Sequence, residues 1–139
     1  MTLCLWCLAP LCLFAANYPS WWTSRNVITN VASTNDWAGV TAGQVKWIAE
    51  KARDELNDYL PNGAGTNVEN LVDSFSATNN YGAVNVGQVK NVAEPFYYRL
   101  IEEGFATNYP WTTVTVTDDV DYAMANIGQV KNAFNFDIR

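Results

Sequence analysis

Histidine is absent from the sequence, and the three cysteines all lie within the first twelve residues. If that segment is removed on export, the remaining chain has neither residue type. Disulfide bonds, thiolate metal sites, cysteine nucleophiles and histidine general bases are then excluded. An enzyme would need a pair of carboxylates, and nothing in the sequence pairs them. We therefore expect no catalytic residue, no metal site and no cofactor.

Charged residues are missing from the first sixteen positions, MTLCLWCLAPLCLFAA. This stretch is shorter than the roughly 20 apolar residues that a bilayer span needs. Its composition, with Ala15 and Ala16 before a cleavage point, is typical of a secretory signal. The alternative is a buried N-terminal helix, which Pro10 would interrupt. We expect a signal-like segment at 1–16, one repeat domain at 17–139 that is secreted or at the cell surface, and no membrane span after cleavage.

Clusters of lysine or arginine are also missing, and the net charge is −6. Proteins that bind phosphate backbones carry a clustered basic face, so nucleic acid is not expected as a partner. We interpret the acidity as an aid to solubility.

The sequence does contain one heptad written three times: TAGQVKW from Thr41, NVGQVKN from Asn85 and NIGQVKN from Asn126. A sequence period of 20 to 50 residues indicates a repeat architecture. The sequence predicts a mainly α fold of tandem helical repeats, with repeat cores at 37–60, 81–104 and 122–139 and linkers rich in Asn, Thr and aromatic residues. An aromatic residue precedes each heptad at the same distance: Trp37, Tyr81 and Tyr122.

Each heptad has the pattern of a helix start with a capping box. A Thr or Asn side chain caps the first turn, and a Gln three residues later reaches back to the N–H group of the cap. Apolar residues at helical spacing follow, which predicts one helix over about 42–60, a second from 86 that is kinked or split at Pro95 and ends at Gly104, and a short third helix. An extra helix is expected from Thr66. The boxes are Thr41 with Gln44, Asn85 with Gln88, and Asn126 with Gln129.

Capping does not explain the glycine and the lysine of the heptad. Glycine is a poor helix former, so its use in all three copies predicts that another backbone passes close to it. Lysine near the positive end of the helix dipole is mildly unfavourable. Either the lysine completes an anion site, or it binds an oxygen of a neighbouring copy, and we favour the second interpretation. These residues are Gly43, Gly87, Gly128, Lys46, Lys90 and Lys131.

The tryptophans and tyrosines have two interpretations. Rings beside Asn and Asp can stack on sugars, and the candidates for such a platform are Trp21, Trp22, Tyr109 and Trp111. Alternatively, the rings fill the core between copies, since aromatic side chains bury large areas. The aromatic residues that open each copy recur in register, which favours the core for them.

The linkers contain two further patterns. TTVTVT at 112–117 and, more weakly, NVITNV at 26–31 alternate like short strands, which predicts a small two-stranded sheet. Asp118, Asp119 and Asp121 cluster before the third heptad. A solvated turn is favoured over a calcium loop, because the ligand series and central glycine of an EF-hand are absent.

The run from Tyr81 to Leu100 resembles a tandem repeat of large secreted or surface proteins of environmental bacteria, with the pattern Y-x-x-x-N-x-G-Q-[VL]-K-N followed by A-x-P-F-Y-x-R-L. The closing run, 122–137, resembles it too. The first copy departs from the pattern at Thr41, Trp47 and Lys51. The resemblance implies a cell-surface module without catalytic residues.

Together these observations predict an exported, non-enzymatic repeat module with a structural, adhesive or protein-interaction role at the cell surface. The alternative is a carbohydrate-binding module. The expected partners are further repeats or chains of the same type, with polysaccharide as the alternative. Stacking of one chain on another is expected if Phe134, Phe136 and Ile138, in and after the short last helix, lack a cover.

Overall fold

A computed structural model describes residues 18–27, 36–111 and 118–139, with only the backbone for residues 118 and 119. Within these ranges the fold is mainly α, as the sequence predicts. The predicted signal segment, the predicted strand at 112–117 and most of the strand at 26–31 lie outside the described residues. The helices are α1 Ser20–Ser24, α2 Ala42–Tyr59, α3 Thr66–Asp73, α4 Val86–Glu102, α5 Asp118–Asp121 and α6 Ile127–Ala133.

The helices α2, α4 and α6 each begin with the capping box that the heptad predicts. In each box the cap side chain accepts a hydrogen bond from the N–H group of the Gln. The Gln Oε1 atom in turn accepts from the N–H group of the cap residue, at 2.9 Å in all three copies. The prediction of three helix starts is therefore confirmed, and α3 is the expected extra helix.

Helix α4 continues through Pro95 and is not split there. Ala93 and Phe96, on either side of the proline, are fully buried. The helix packs against α2, α3, α5 and α6. Burial of this face outweighs the one hydrogen bond that proline removes, because tertiary packing supplies most of the stability of a helix in a protein. The helix ends before Gly104, whose φ of 80° is a conformation that glycine adopts readily.

The start of each heptad binds the segment that precedes the heptad of another copy, and the three contacts form a closed arrangement, which we call the heptad ring. In each copy, the N–H group of the first helical residue donates a hydrogen bond to another copy. The acceptor is the carbonyl oxygen of the residue that follows the aromatic residue of that other copy. The first copy donates to the second, the second to the third, and the third back to the first. The bonds are Ala42 N to Gly82 O at 2.8 Å, Val86 N to Ala123 O at 2.9 Å, and Ile127 N to Ala38 O at 2.9 Å.

Three antiparallel bridges follow the same order around the heptad ring. They pair each cap residue with the second residue after the aromatic of the next copy. Among the described residues, β-pairing is confined to such isolated bridges and forms no sheet. The bridges are Thr41 with Ala83, Asn85 with Met124, and Asn126 with Gly39.

Side chains of α1 cover the last residues of the chain. Trp21 and Trp22 are fully buried. Trp21 Nε1 donates to Phe136 O at 2.8 Å, and Trp22 Nε1 donates to Phe134 O at 3.2 Å. The rings of Trp21 and Phe136 also stack. Phe134, Phe136 and Ile138 are buried within the chain. The expected stacking of one chain on another depends on these residues lacking a cover, and that condition is not met, because the cover comes from residues that precede the first copy.

A buried carboxylate joins α1, α2 and the C-terminal segment. Glu55 is fully buried, and its oxygens accept from Arg25 Nε and Arg139 Nε, each at 2.7 Å. Removal from water acts to raise the pKa of Glu55, but hydrogen bonds and charge from the two arginines outweigh it, so the pKa lies below its ordinary value. Glu55 is therefore ionised at neutral pH and links three separate segments.

Candidate binding surface

The glycine of each heptad allows close approach to the next copy. A Cβ atom at Gly43 would lie 3.0 Å from both Cβ and O of Asn80, closer than side chains normally pack. The predicted close passage of another backbone is confirmed in all three copies. A Cβ atom added at Gly87 would lie 3.2 Å from Asp121 Cβ, and one added at Gly128 would lie 3.1 Å from Asp36 Cβ.

The lysine of each heptad binds the residue just before the aromatic of that same neighbouring copy. Lys46 Nζ donates to Asn80 Oδ1 at 2.9 Å and to Ser76 O at 2.7 Å. All three ammonium groups therefore bind oxygens of another copy, as the favoured interpretation predicts, and an anion site at these lysines is not supported. The equivalent pairs are Lys90 with Asp121 and Lys131 with Asp36.

The aspartates before the third heptad are only partly described. Asp121 is the partner of Lys90, and the side chains of Asp118 and Asp119 lie outside the described residues. In the part of the chain that the structure describes, no group of three or more potential metal ligands occurs.

The aromatic residues that open the copies point to solvent. Trp37 is 87% exposed, Tyr81 is 97% exposed and Tyr122 is 83% exposed. The prediction that they fill the core between copies is wrong. The physical reason lies in their neighbours: the preceding residue binds the lysine of another copy, and the following carbonyl accepts from its helix start. Each ring sits between two anchored residues and is turned outward.

One cavity of the described residues is lined by both Trp37 and Trp111, and we call it the Trp37–Trp111 groove. It has a volume of about 520 Å³ and lies along the first turns of α4 and α6. Its lining is mainly apolar, with Val86 and Val89 among the lining residues. The polar lining includes the carboxamides Asn126, Gln129 and Asn132.

A smaller notch occupies the equivalent place in the second copy. It has a volume of about 310 Å³ and is lined by Tyr122 with the carboxamides Asn85, Gln88 and Asn91. The second and third heptads thus each have an exposed ring of another copy beside their Asn and Gln side chains. The Trp37–Trp111 groove differs from this notch in having a second aromatic wall.

That second wall is held in place by other rings. Trp111 stacks on Tyr109 with ring centroids 5.3 Å apart and meets the edge of Tyr97 at 5.9 Å. Burial raises the pKa of Tyr97 to about 12, so its hydroxyl stays neutral. Of the four residues predicted as a sugar platform, Trp111 lines the groove and Tyr109 is partly buried behind it. Trp21 and Trp22 are excluded, because buried indoles cannot stack on a ligand.

Comparison of the chain with protein-family models, with curated proteins and with solved structures finds no match. A search of the helices in the described residues finds none that is long and apolar enough to cross a membrane.

Proposed function

We propose that the chain is an exported, non-enzymatic binding module of the cell surface, built as tandem helical repeats that close on themselves. One observation carries the proposal: Trp37, Tyr81 and Tyr122 are each more than four-fifths exposed at the same position of the three copies. Exposed aromatic side chains offer large contact areas and are enriched at binding interfaces. A role in adhesion or protein interaction follows from their presentation on a fixed frame.

The frame supports this role because each ring is held between two contacts to another copy. The residue before Trp37 binds Lys131, and the carbonyl after it accepts from Ile127. The backbone that carries the ring is therefore already ordered, so binding of a partner needs to order only the torsions of the aromatic side chain, which favours affinity.

The non-enzymatic character is supported by the chemistry of the groove. Its lysine, Lys90, is paired with Asp121, and its carboxylate, Asp36, is paired with Lys131. General acid–base chemistry needs a titratable group that is placed to exchange a proton with substrate. These four groups are instead committed to contacts between copies.

A pair of triple variants tests the proposal. The first variant carries Trp37→Ala, Tyr81→Ala and Tyr122→Ala. The control carries Trp47→Ala, Tyr98→Ala and Phe105→Ala, which removes rings that are 46%, 57% and 49% exposed away from the aromatic position of the copies. We expect the first variant to lose most of its retention by a bacterial cell-envelope preparation in a sedimentation assay. Equal retention of both variants, with unchanged melting temperatures, would overturn the proposal.

Export has its own test. The full chain is expressed in a bacterial host, and mass spectrometry measures the molecular mass of the protein recovered outside the cytoplasm. We expect loss of the first sixteen residues, because this uncharged stretch has the composition of a signal. An intact chain that stays in the cytoplasm would contradict export.

The second candidate function is carbohydrate binding. It is favoured by the Trp37–Trp111 groove, in which aromatic rings and carboxamides lie together. Sugars present apolar faces and hydroxyl groups, and these two kinds of side chain match both.

A further inference from the structure

The size of the Trp37–Trp111 groove suits a small unit of a larger ligand. Its volume of about 520 Å³ falls within the roughly 300–1,000 Å³ range of ligand sites in proteins. The lining is mainly apolar with a few polar side chains, which is also typical of such sites. Such a lining offers aromatic and aliphatic surface together with a few polar groups.

The charges around the groove indicate that the ligand is uncharged. Lys90 and Asp36, the ionisable side chains among the described residues of its lining, are each bound to a partner of opposite sign. A charged ligand would have to compete with Asp121 or Lys131 for its counter-charge. The net charge of −6 further disfavours an acidic polymer.

The carboxamides indicate a ligand that both donates and accepts hydrogen bonds. Asn132 is exposed, and its side chain makes no hydrogen bond within the described ranges. Gln129 uses Oε1 to bind the N–H group of Asn126, so the donors that it can offer to a ligand are those of its NH₂ group. Hydroxyl groups satisfy both kinds of partner. A proline-rich peptide, which also suits aromatic grooves, offers carbonyl acceptors but few donors.

We infer that the Trp37–Trp111 groove binds a sugar unit of an uncharged polysaccharide. The apolar face of the sugar packs on Trp37, with Trp111 as the second aromatic residue of the lining, and its hydroxyl groups bind Asn132 and Gln129. This inference rests on the proposed function and names the ligand class for one of its three aromatic positions.

Native gel electrophoresis of the full chain tests it, in gels that contain a neutral soluble polysaccharide. The panel is a β-glucan, a xylan and a galactomannan, with polygalacturonate as the acidic polymer. We expect at least one neutral polymer to retard the wild type. Trp37→Ala weakens the binding by about tenfold or more, because a buried aromatic contact is lost. The control is Trp47→Ala, which removes an exposed tryptophan outside the groove lining, and we expect it to bind like the wild type.

Asn132→Ala provides a second variant that keeps the aromatic wall, and we expect it to weaken binding by a smaller factor. Retardation by polygalacturonate alone, no retardation by any polymer, or equal binding of Trp37→Ala and wild type would each overturn the inference. Binding of a decaproline peptide, without binding of any polysaccharide, would also overturn it and assign the groove to peptides. If these gels fail while the triple variant still loses retention by envelopes, the proposed function stands and only the sugar site is wrong.

Discussion

Lys131 binds Asp36 across 95 residues of sequence, with 2.5 Å between Nζ and Oδ1. This pair joins the third heptad to the first copy and so closes the heptad ring. The lysine side chain is 7% exposed and the aspartate side chain is 43% exposed. Removal of the aspartate therefore leaves a buried charge without its partner, which is more costly than loss of a surface pair.

Asp36→Ala is expected to lower the free energy of unfolding by about 3 kcal/mol, because the Lys131 ammonium group stays buried without an acceptor. Lys51→Ala is the control, since Lys51 lies 3.8 Å from Asp54 at the surface. Its effect should stay below about 1 kcal/mol. Urea denaturation measures both variants, and similar values for the two would show that ring closure contributes little.

Gly43→Ala is expected to lower the free energy of unfolding by about 1–3 kcal/mol, although alanine is the better helix former. The new methyl group would lie 3.0 Å from Asn80 and push the second copy away from α2. Gly39→Ala is the matched control, because no atom lies within 4 Å of its added Cβ. Thermal denaturation compares the two. A Gly43→Ala protein that melts above wild type would refute the close-approach argument.

The Glu55 carboxyl is expected to make the free energy of unfolding depend on pH in the acidic range. Its pKa in the folded chain lies below the ordinary value of 4.5, so the folded state binds its proton less tightly than the unfolded state. The contribution of Glu55 to stability is then fully present above about pH 4.5 and is lost as the pH falls through the folded pKa. Urea denaturation at a series of pH values measures this loss.

Glu55→Gln is the matched variant for that series. It should be less stable than wild type at pH 7, and the difference should shrink as the pH falls below about 4.5. A difference that stays constant down to low pH would mean that the ionised form of Glu55 has no stabilising role.

Trp21→Ala and Trp37→Ala should differ sharply in stability. Trp21 is fully buried and covers the C-terminal segment, so its removal is expected to lower the free energy of unfolding by about 3–5 kcal/mol. Trp37 is 87% exposed, and removal of its ring should change the free energy of unfolding by less than about 0.5 kcal/mol. Melting temperatures and urea midpoints report both effects. A large loss for Trp37→Ala would mean that its ring has a structural role.

The sequence predicts the heptads well because their structure is local. A cap residue and a Gln three positions later lie in one turn, so the spacing alone defines the box. Glycine and lysine are predictable as contacts to another copy because capping does not account for them. Which copy contacts which depends on ring closure, and nothing in a linear sequence indicates that the third copy returns to the first.

The aromatic residues are less predictable, because recurrence in register does not reveal the direction in which a ring points. Trp37 recurs and is exposed, while Trp21 has no counterpart in the other copies and is buried. One feature of the sequence could have identified Glu55 as a buried charge. Glu55 lies three residues after Ala52 and next to Leu56, on the buried stripe of α2. A charge on that stripe predicts a buried ion pair, but its partners Arg25 and Arg139 lie far away in sequence.

Closure of the heptad ring fixes its stoichiometry. Each copy both donates to one neighbour and accepts from another, so all three edges are occupied. A single duplicated copy would find no complementary edge unless the contact between Ile127 and Ala38 opened. A polypeptide with three additional copies is therefore expected to form a second closed ring beside the first, in place of one longer superhelix.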